Sequence, residues 1–512
     1  MTITQKCFKI IYDLRLRENS KNCFSFFTGL SAKKEAGLPP LLFLPPNSKH
    51  TFANLCFVCY IYCMEIHTSY KVKIKHYNHI FKDTICIYRK AVDFLINVCV
   101  ENWEPISKLH YTNARQSYVE KLIHKTKGNS NPAYDFDTAF YKMPTYLRRA
   151  AINESLGKVS SYKSNYDNWE KSDPATRGRI PAYPRAGFVF PSLYKYGMFV
   201  CPGKYSAKIK VYIRNTWDWI TVDLKKSDVD YIERHCCSRT IKSPTLRKRG
   251  KEWFLDFPFE ETVKLDGTSF LKQRIVAVDL GINSAATISV MQSDGTILGR
   301  HFLKLPKEYD SLTHSINRIK KAQQHGSQKT PKLWAKAKGI SNSIATKTTD
   351  FIMNTAILYN ASTIVFEHLN LHGKIKCSQK QKLHLWKARY VQAMVTDRAH
   401  RLGMHISHIN AKNTSKLAYD GSGRIDRGWK ACYKTYSVCK FASGKIYNCD
   451  LNASYNIGAR FFIREILKSL PVKERLELEA KVPQVAKRST CTLSTLISLS
   501  GELRPLGFSI AA

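Results

Sequence analysis

The stretch VAVDLGINSAATISV, residues 276–290, decides how this chain is read. An apolar run ends at a carboxylate, Asp279. A charge at the end of a buried strand is costly unless a metal ion, a basic side chain or open solvent meets it. RIVAVD reads as one strand, NSAATISVMQ as a second and TILGRHFLKL as a third. Ser293-Asp294-Gly295 joins the last two, and Asp-Gly is a hairpin signal, so the region opens as an antiparallel three-strand meander.

Two further acids stand in comparable places. SLTHSINRIKKAQQ and SNSIATKTTDFIMNTAILYN read as helices and lead into ASTIVFEHLNL (361–371). There STIVF is a buried-strand run that ends at Glu367. The spacing then predicts a long helix through QKLHLWKARYVQAMVTDRAHRLG, stopped at Gly403, and a strand at MHISHIN (404–410). In NCDLNASYNIGARFFIREIL, Asp450 sits where a helix begins, with Ala453, Ile457 and Phe461 on one face. Taken alone, Asp450 reads as an N-cap.

The three acids gain force together. A βββ-α-β-α-β-α order brings the first and fourth strands side by side and lays the last helix against them, so Asp279, Glu367 and Asp450 can converge. Carboxylates at one point repel each other unless divalent cations sit between them. Two Mg²⁺ ions ~3.5–4 Å apart, with Mn²⁺ as a substitute, suit in-line phosphodiester hydrolysis. His368 follows Glu367, but the next side chain on a strand points to the opposite face, so it stays outside this set.

Composition agrees with such a substrate. The 512 residues carry 81 Lys+Arg against 40 Asp+Glu, a formal net charge of +41. That excess implies a polyanionic partner, most simply nucleic acid, and the 27 Tyr offer stacking surfaces for bases. The apolar stretch LCFVCYIYCM (55–64) is shorter than the ~20 residues a membrane helix needs, so no membrane partner is expected. The 15 scattered Cys argue for reduced thiols and a cytoplasmic location, nucleoid-associated when DNA is bound.

Residues 1–63 lack helix or strand periodicity, and a cleaner pattern opens at Met64, so 1–63 are read as an upstream extension. Cys56 and Cys59 form a CxxC with no second pair nearby. YKVKIK is a short alternating strand. Ile80, Phe81, Ile85, Tyr88, Val92, Leu95 and Ile96 recur at helical spacing, and helical segments continue to about 165. Residues 164–187 are rich in turn formers and read as a loop. From 187 to 270 the period falls to two, as in a small β-barrel or curled sheet. Residues 232–251 read as a basic loop between two of its strands, with Arg247, Lys248, Arg249 and Lys251 placed for phosphates.

The C-terminal half resembles the RuvC-like nuclease domain of the TnpB (OrfB) family of insertion-sequence transposons, relatives of the type V CRISPR effectors. AVDLGIN, IVFEHLNL and CDLNASYNIGAR, in that order, carry the resemblance over roughly residues 270–465. It implies an α/β + α + β multidomain protein with a RuvC/RNase H-like nuclease domain at 271–470. It also implies an N-terminal wedge barrel (64–75 and 187–270), interrupted by a helical recognition lobe and loop at 76–186. A C-terminal helix and tail occupy 471–512. By the same resemblance Asp279, Glu367 and Asp450 match the metal-binding acids. The partners would be a guide RNA from the transposon end and a double-stranded DNA target chosen by base pairing.

One departure stands out. The family's two CxxC pairs before the third acid, which form a zinc ribbon, are missing or incomplete in residues 411–449. Thr414 to Asp420 contains no cysteine, and Cys439 stands alone in its pair. Cys432, Cys439 and Cys449 are spaced unsuitably for a tetrahedral site, so zinc is not expected. Packing of Tyr419, Trp429 and Tyr447 is expected to hold the loop instead. Three functional readings follow: a metal-dependent RNA-guided DNA endonuclease, a nuclease-inactive RNA-guided DNA-binding protein, and a decayed transposition accessory protein. The intact acid set favours the first.

Overall fold

A computed structural model describes residues 63–76, 79–175, 177–195, 197–282, 284–327, 329–369, 384–428, 433 and 435–503. Residues 1–62 of the expected 1–63 extension, Cys56 and Cys59 among them, lie outside these residues, as do Trp429, Cys432 and the tail from 504, while Cys63 opens a strand. The protein mixes helices and sheets and divides into two compact units, which within the described residues are 67–261 and 262–503 with 63–66.

The first unit begins on strand β1 (Cys63–Lys73). Five helices follow: α1 (Ile80–Glu101), α2 (Trp103–Ser107), α3 (Thr112–Ile123), α4 (Phe136–Ala139) and α5 (Thr145–Glu170). The apolar stripe of α1 is buried at Phe81, Ile85, Tyr88, Val92, Leu95 and Ile96, as helical spacing requires. Strands β2 (Phe199–Gly203), β3 (Ser206–Ile213) and β4 (Thr216–Asp223) form one antiparallel sheet. Helix α6 (Lys226–Cys236) leads to β5 (Thr240–Ile241), β6 (Thr245–Arg249) and β7 (Glu252–Lys264). β7 pairs with β1, β5 and β6, so the earliest described strand joins a sheet built from residues far along the chain.

Two loops expected from sequence are partly regular structure. α5 continues to Glu170, so SNYDNWE is helical rather than part of a loop; its half-buried Tyr166 and Trp169 rings lie 5.7 Å apart. The stretch 232–251 is the end of α6, strands β5 and β6 and a tight turn at Gly250, because TLRKR registers residue by residue against β7.

The second unit is built on one five-stranded sheet. Its strands are β8 (Ile275–Asp279), β9 (Ala286–Met291), β10 (Ile297–Leu303), β11 (Thr363–Glu367) and β12 (His405–Ile409), in the order β10-β9-β8-β11-β12. The first three form the antiparallel meander, while β11 runs parallel to both β8 and β12. Helices α7 (Pro306–Gln324), α8 (Pro331–Leu358) and α9 (Ala388–Arg401) separate these strands in the chain. α9 ends where Gly403 turns to φ +76° and the Gly403 and Met404 amides return to the His400 and Ala399 carbonyls at 2.9 Å.

Alternation along the strands sorts the core into two faces. Val276, Val278, Ile288, Ile364 and Phe366 meet α8 and α9 on one side. Ile275, Ala277, Met291 and Val365 meet α10 (Cys449–Ser469) on the other, where α12 (Leu493–Leu503) covers α10 in turn, with α11 (Val472–Lys481) between them in the chain. α10 is therefore buried around most of its circumference. It approaches the sheet closely at Gly458: a Cβ there would lie 3.0 Å from Met291 Cε and 3.2 Å from Ala277 Cβ. Gly458→Leu must push α10 off the sheet. The expected cost is roughly 1–3 kcal/mol, read as a lower urea midpoint with an unchanged m-value.

Candidate active site

Asp279 and Glu367 owe their proximity to strand register. Val278 pairs with Phe366 in the parallel β8–β11 ladder, and each strand ends one residue later at its acid. Ala277 and Val365 face α10, so period-two alternation turns Asp279 and Glu367 to that face as well. Asp450 lies in the first turn of α10. It is not the cap: the Asn448 side chain accepts the Leu451 N–H at 2.9 Å, which leaves the Asp450 carboxylate free to face the strand ends.

The three acids act on one another electrostatically. Burial pushes Asp279 well above the usual carboxylate range, and the negative charges of Glu367 and Asp450 push it further. Burial also raises Glu367, against a hydrogen bond from the Thr414 hydroxyl and the nearby Arg460 charge. Asp450 is raised by burial and drawn back by Arg427. All three keep part of their surface accessible. Their oxygens do not all close to within 4.8 Å of one another.

Supporting residues that the sequence reading did not single out come from α10 and the 411–449 segment. Asn456 Nδ2 donates to the Thr414 and Leu417 carbonyls at 2.9 Å, which fixes Thr414 under Glu367. Asn452 bridges the Tyr419 amide and the Leu417 carbonyl. Arg460 donates to the carbonyls of Asn410, Lys412, Ser489 and Cys491 at 2.7–3.1 Å. The signal was present in NASYNIGAR: polar side chains at four-residue spacing inside an otherwise apolar helix must find partners.

Arg427 was also missed. It lies on β13 (Asp426–Arg427), which with β14 (Val438–Lys440) and β15 (Ile446–Asn448) forms a small antiparallel sheet leading into α10. Arg427 pairs in register with Cys439, and its charge lowers both Asp279 and Asp450. Rings hold this segment: Tyr419 lies 5.5 Å from Phe441 and 5.1 Å from both Tyr447 and Tyr455. Tyr419 and Tyr447 thus pack as expected, joined by two rings not foreseen.

The basic residues expected to meet phosphates are differently placed. Arg247 and Arg249, on β6, both reach buried Asp256, at 3.3 and 2.8 Å. Lys248 lies 5.6 Å from the Trp253 ring centre, and Lys251 is exposed in the following turn.

The chain has relatives among known proteins. Residues 68–213 match the Aq_aa04 family. The uncharacterized protein aq_aa04 of Aquifex aeolicus is 34% identical over 121 residues, 22% of this chain and 68% of that protein. The TnpB-like protein aq_aa05 of the same organism is 28% identical over 244 residues, 43% of this chain and 77% of that protein. The chain belongs to the Aq_aa04 family and is a TnpB relative. Among solved structures, a Cas12f1–sgRNA–target DNA complex matches at 12% identity and TM-score 0.45, covering 73% of this chain and 81% of that one. CasPhi-2 (Cas12j) bound to crRNA matches at 10% and 0.32, covering 77% and 97%. No described helix of this TnpB relative is long and apolar enough to cross a membrane.

A carboxyl whose pKa is raised in the folded state stabilises the fold below its unfolded pKa, and that contribution is lost as pH rises through the folded pKa. Asp279→Asn removes this loss. The metal-free variant should melt above the parent at pH 7, by roughly 2–4 °C per kcal/mol relieved, and the gap should shrink toward pH 4. Equal melting temperatures at both pH values would show that the Asp279 charge carries no such cost.

Proposed function

We propose that this chain is a divalent-metal-dependent DNA endonuclease with an RNase H-like (RuvC-type) catalytic unit, guided to double-stranded DNA by a transposon-end RNA. One observation carries the reading: register and helix placement bring Asp279, Glu367 and Asp450 to one edge of one sheet. The strand order 3-2-1-4-5 with an antiparallel second strand supports the RNase H-like assignment. The relationship to a TnpB-like protein and the charge of +41 support a nucleic-acid substrate.

The donor set fits hard divalent cations, which take oxygen ligands and favour carboxylates. Asp279, Glu367 and Asp450 would hold them, with Mg²⁺ the natural choice and Mn²⁺ its substitute. When bound, such ions lower the pKa of an attacking water and stabilise the leaving oxygen. The chain's own contribution is placement. Thr414 and Asn456 orient Glu367, Asn448 caps α10 so that Asp450 is not consumed as a cap, and Arg427 keeps the acids closer to ionised.

Purified with its guide RNA, the chain should cut a matched plasmid in Mg²⁺, and EDTA should stop it. Asp279→Ala should abolish cutting, by ~10³-fold or more, while RNA and DNA binding persist. Binding of matched DNA without cutting by the wild type would favour the nuclease-inactive reading instead. Arg427→Ala supplies a second check. Without that charge the Asp279 and Asp450 pKa values rise further, so the acid limb of the pH–rate profile should move to higher pH. An unmoved limb would remove Arg427 from the site.

A further inference from the structure

A second charged feature of this unit shares one residue, Arg460, with the surroundings of the acids. A cavity of about 150 Å³ opens beside the C-terminal end of β12, lined by Arg460, Arg464, Lys468, Arg475 and Arg488. Arg460, Arg464 and Lys468 lie at i, i+4 and i+8 on one face of α10. Arg475 comes from α11 and Arg488 from the turn before α12. The acids near these cations, Glu465 and Glu479, pair with Arg464, Lys468 and Arg475 at 2.7, 3.5 and 2.9 Å. Neither acid lines the cavity. Arg488 has no ion pair among the described residues. Arg460 is met by four carbonyls and three of the other cations by two acids; the excess of positive charge that remains around the hollow is relieved by an anion within it.

The position of the hollow narrows the choice of anion. β12 is the strand next to β11, and Ile409 pairs with Glu367, so the cavity lies one strand, ~4.8 Å, beyond Glu367 along the same sheet edge. Arg460 joins the two places: it contributes to the cavity wall, and its charge acts on Glu367. Along α10, Arg460 and Arg464 stand about 15 and 21 Å from Asp450 at 1.5 Å per residue.

We infer that this cavity seats a backbone phosphate of the bound nucleic-acid strand, outside the phosphodiester at the acids. The inference rests on the nucleic-acid-binding part of the proposed function. The seat fixes where along the strand the acids act, while the acids perform the chemistry. Phosphate is also available as a free anion, so the test separates the two sources.

The full chain is titrated with a fluorescent single-stranded DNA oligonucleotide in EDTA over a range of NaCl. Each phosphate contact on a single strand contributes about 0.7 to the slope of log Kobs against log[salt]. The Arg475→Ala/Arg488→Ala variant should lower the slope by about 0.7, and Arg475→Lys/Arg488→Lys should restore most of it. An unchanged slope in an alanine variant with a wild-type melting curve overturns the inference. So does an unchanged slope with wild-type melting raised by millimolar inorganic phosphate through Arg488, which would assign the cavity to a free anion. Should the alanine variant melt early, Arg488→Gln alone is read in the same way. Because binding is measured without metal, the two readings fail separately. A chain that never cuts but shows the arginine-dependent slope keeps the seat, and one that cuts with an unchanged slope loses the seat alone.

Discussion

The second unit depends on the parallel pairing of β8 with β11. That ladder places the last residue of each strand beside the other, and both last residues are acids. Had either strand slipped by one residue, its acid would have turned to the α8–α9 face, because side chains alternate with period two. The register is held by what lies behind it: Val276, Val278, Ile364 and Phe366 fill one core, and Ile275, Ala277 and Val365 fill the other. Tens of buried apolar contacts thus oppose one local repulsion between Asp279 and Glu367. Since stability is a small difference of large terms, a sheet buried on both faces can carry that repulsion where a half-exposed one could not.

α10 turns this pair into a site. It delivers Asp450 from its first turn, and Gly458 lets it lie close enough to the sheet for that turn to face the strand ends. Its buried polar residues, Asn452, Asn456 and Arg460, have their hydrogen bonds met by backbone groups of 410–419, 489, 491 and 493. These bonds tie two otherwise irregular segments to the helix. A buried amide is costly when unpaired and fixes geometry when paired, so the same residues that burden the helix core also define the loop that carries Thr414.

Much of this was legible in the sequence, for physical reasons. A short apolar run ending in an acid is a strong strand signal, and it occurs at both Asp279 and Glu367. The spacing of α1 and the Asp-Gly turn of the meander were equally clear. What the sequence obscured were features decided by partners far along the chain. TLRKR carries no alternating apolar pattern, and it is a strand because β7 offers it a ladder. Arg247 and Arg249 read as free phosphate ligands until Asp256, buried on the neighbouring strand, takes both. Asp450 reads as a cap because Asp often is one, yet Asn448, two residues earlier, holds the Leu451 amide. Arg427 gave no local signal at all, since its importance comes from register with Cys439 on a strand that cannot be inferred from three residues.

The 411–449 segment shows how a loop without paired CxxC motifs can still place a side chain. Cys439 and Cys449 share a hydrogen bond, which together with burial raises the Cys439 thiol. Around them Tyr419, Phe441, Tyr447 and Tyr455 form a ring cluster, capped by the Lys445 ammonium 2.6 Å from the Tyr419 hydroxyl. Edge-to-face rings contribute about 0.5–1.5 kcal/mol per pair beyond their burial, and several such pairs suffice to fix a three-stranded sheet as small as β13–β15. The consequence reaches the acids. β13 is held against β14, β14 against β15, and β15 runs directly into α10. The position of Arg427 relative to Asp279 and Asp450 is therefore set by aromatic packing, and so is the degree to which the acids stay ionised.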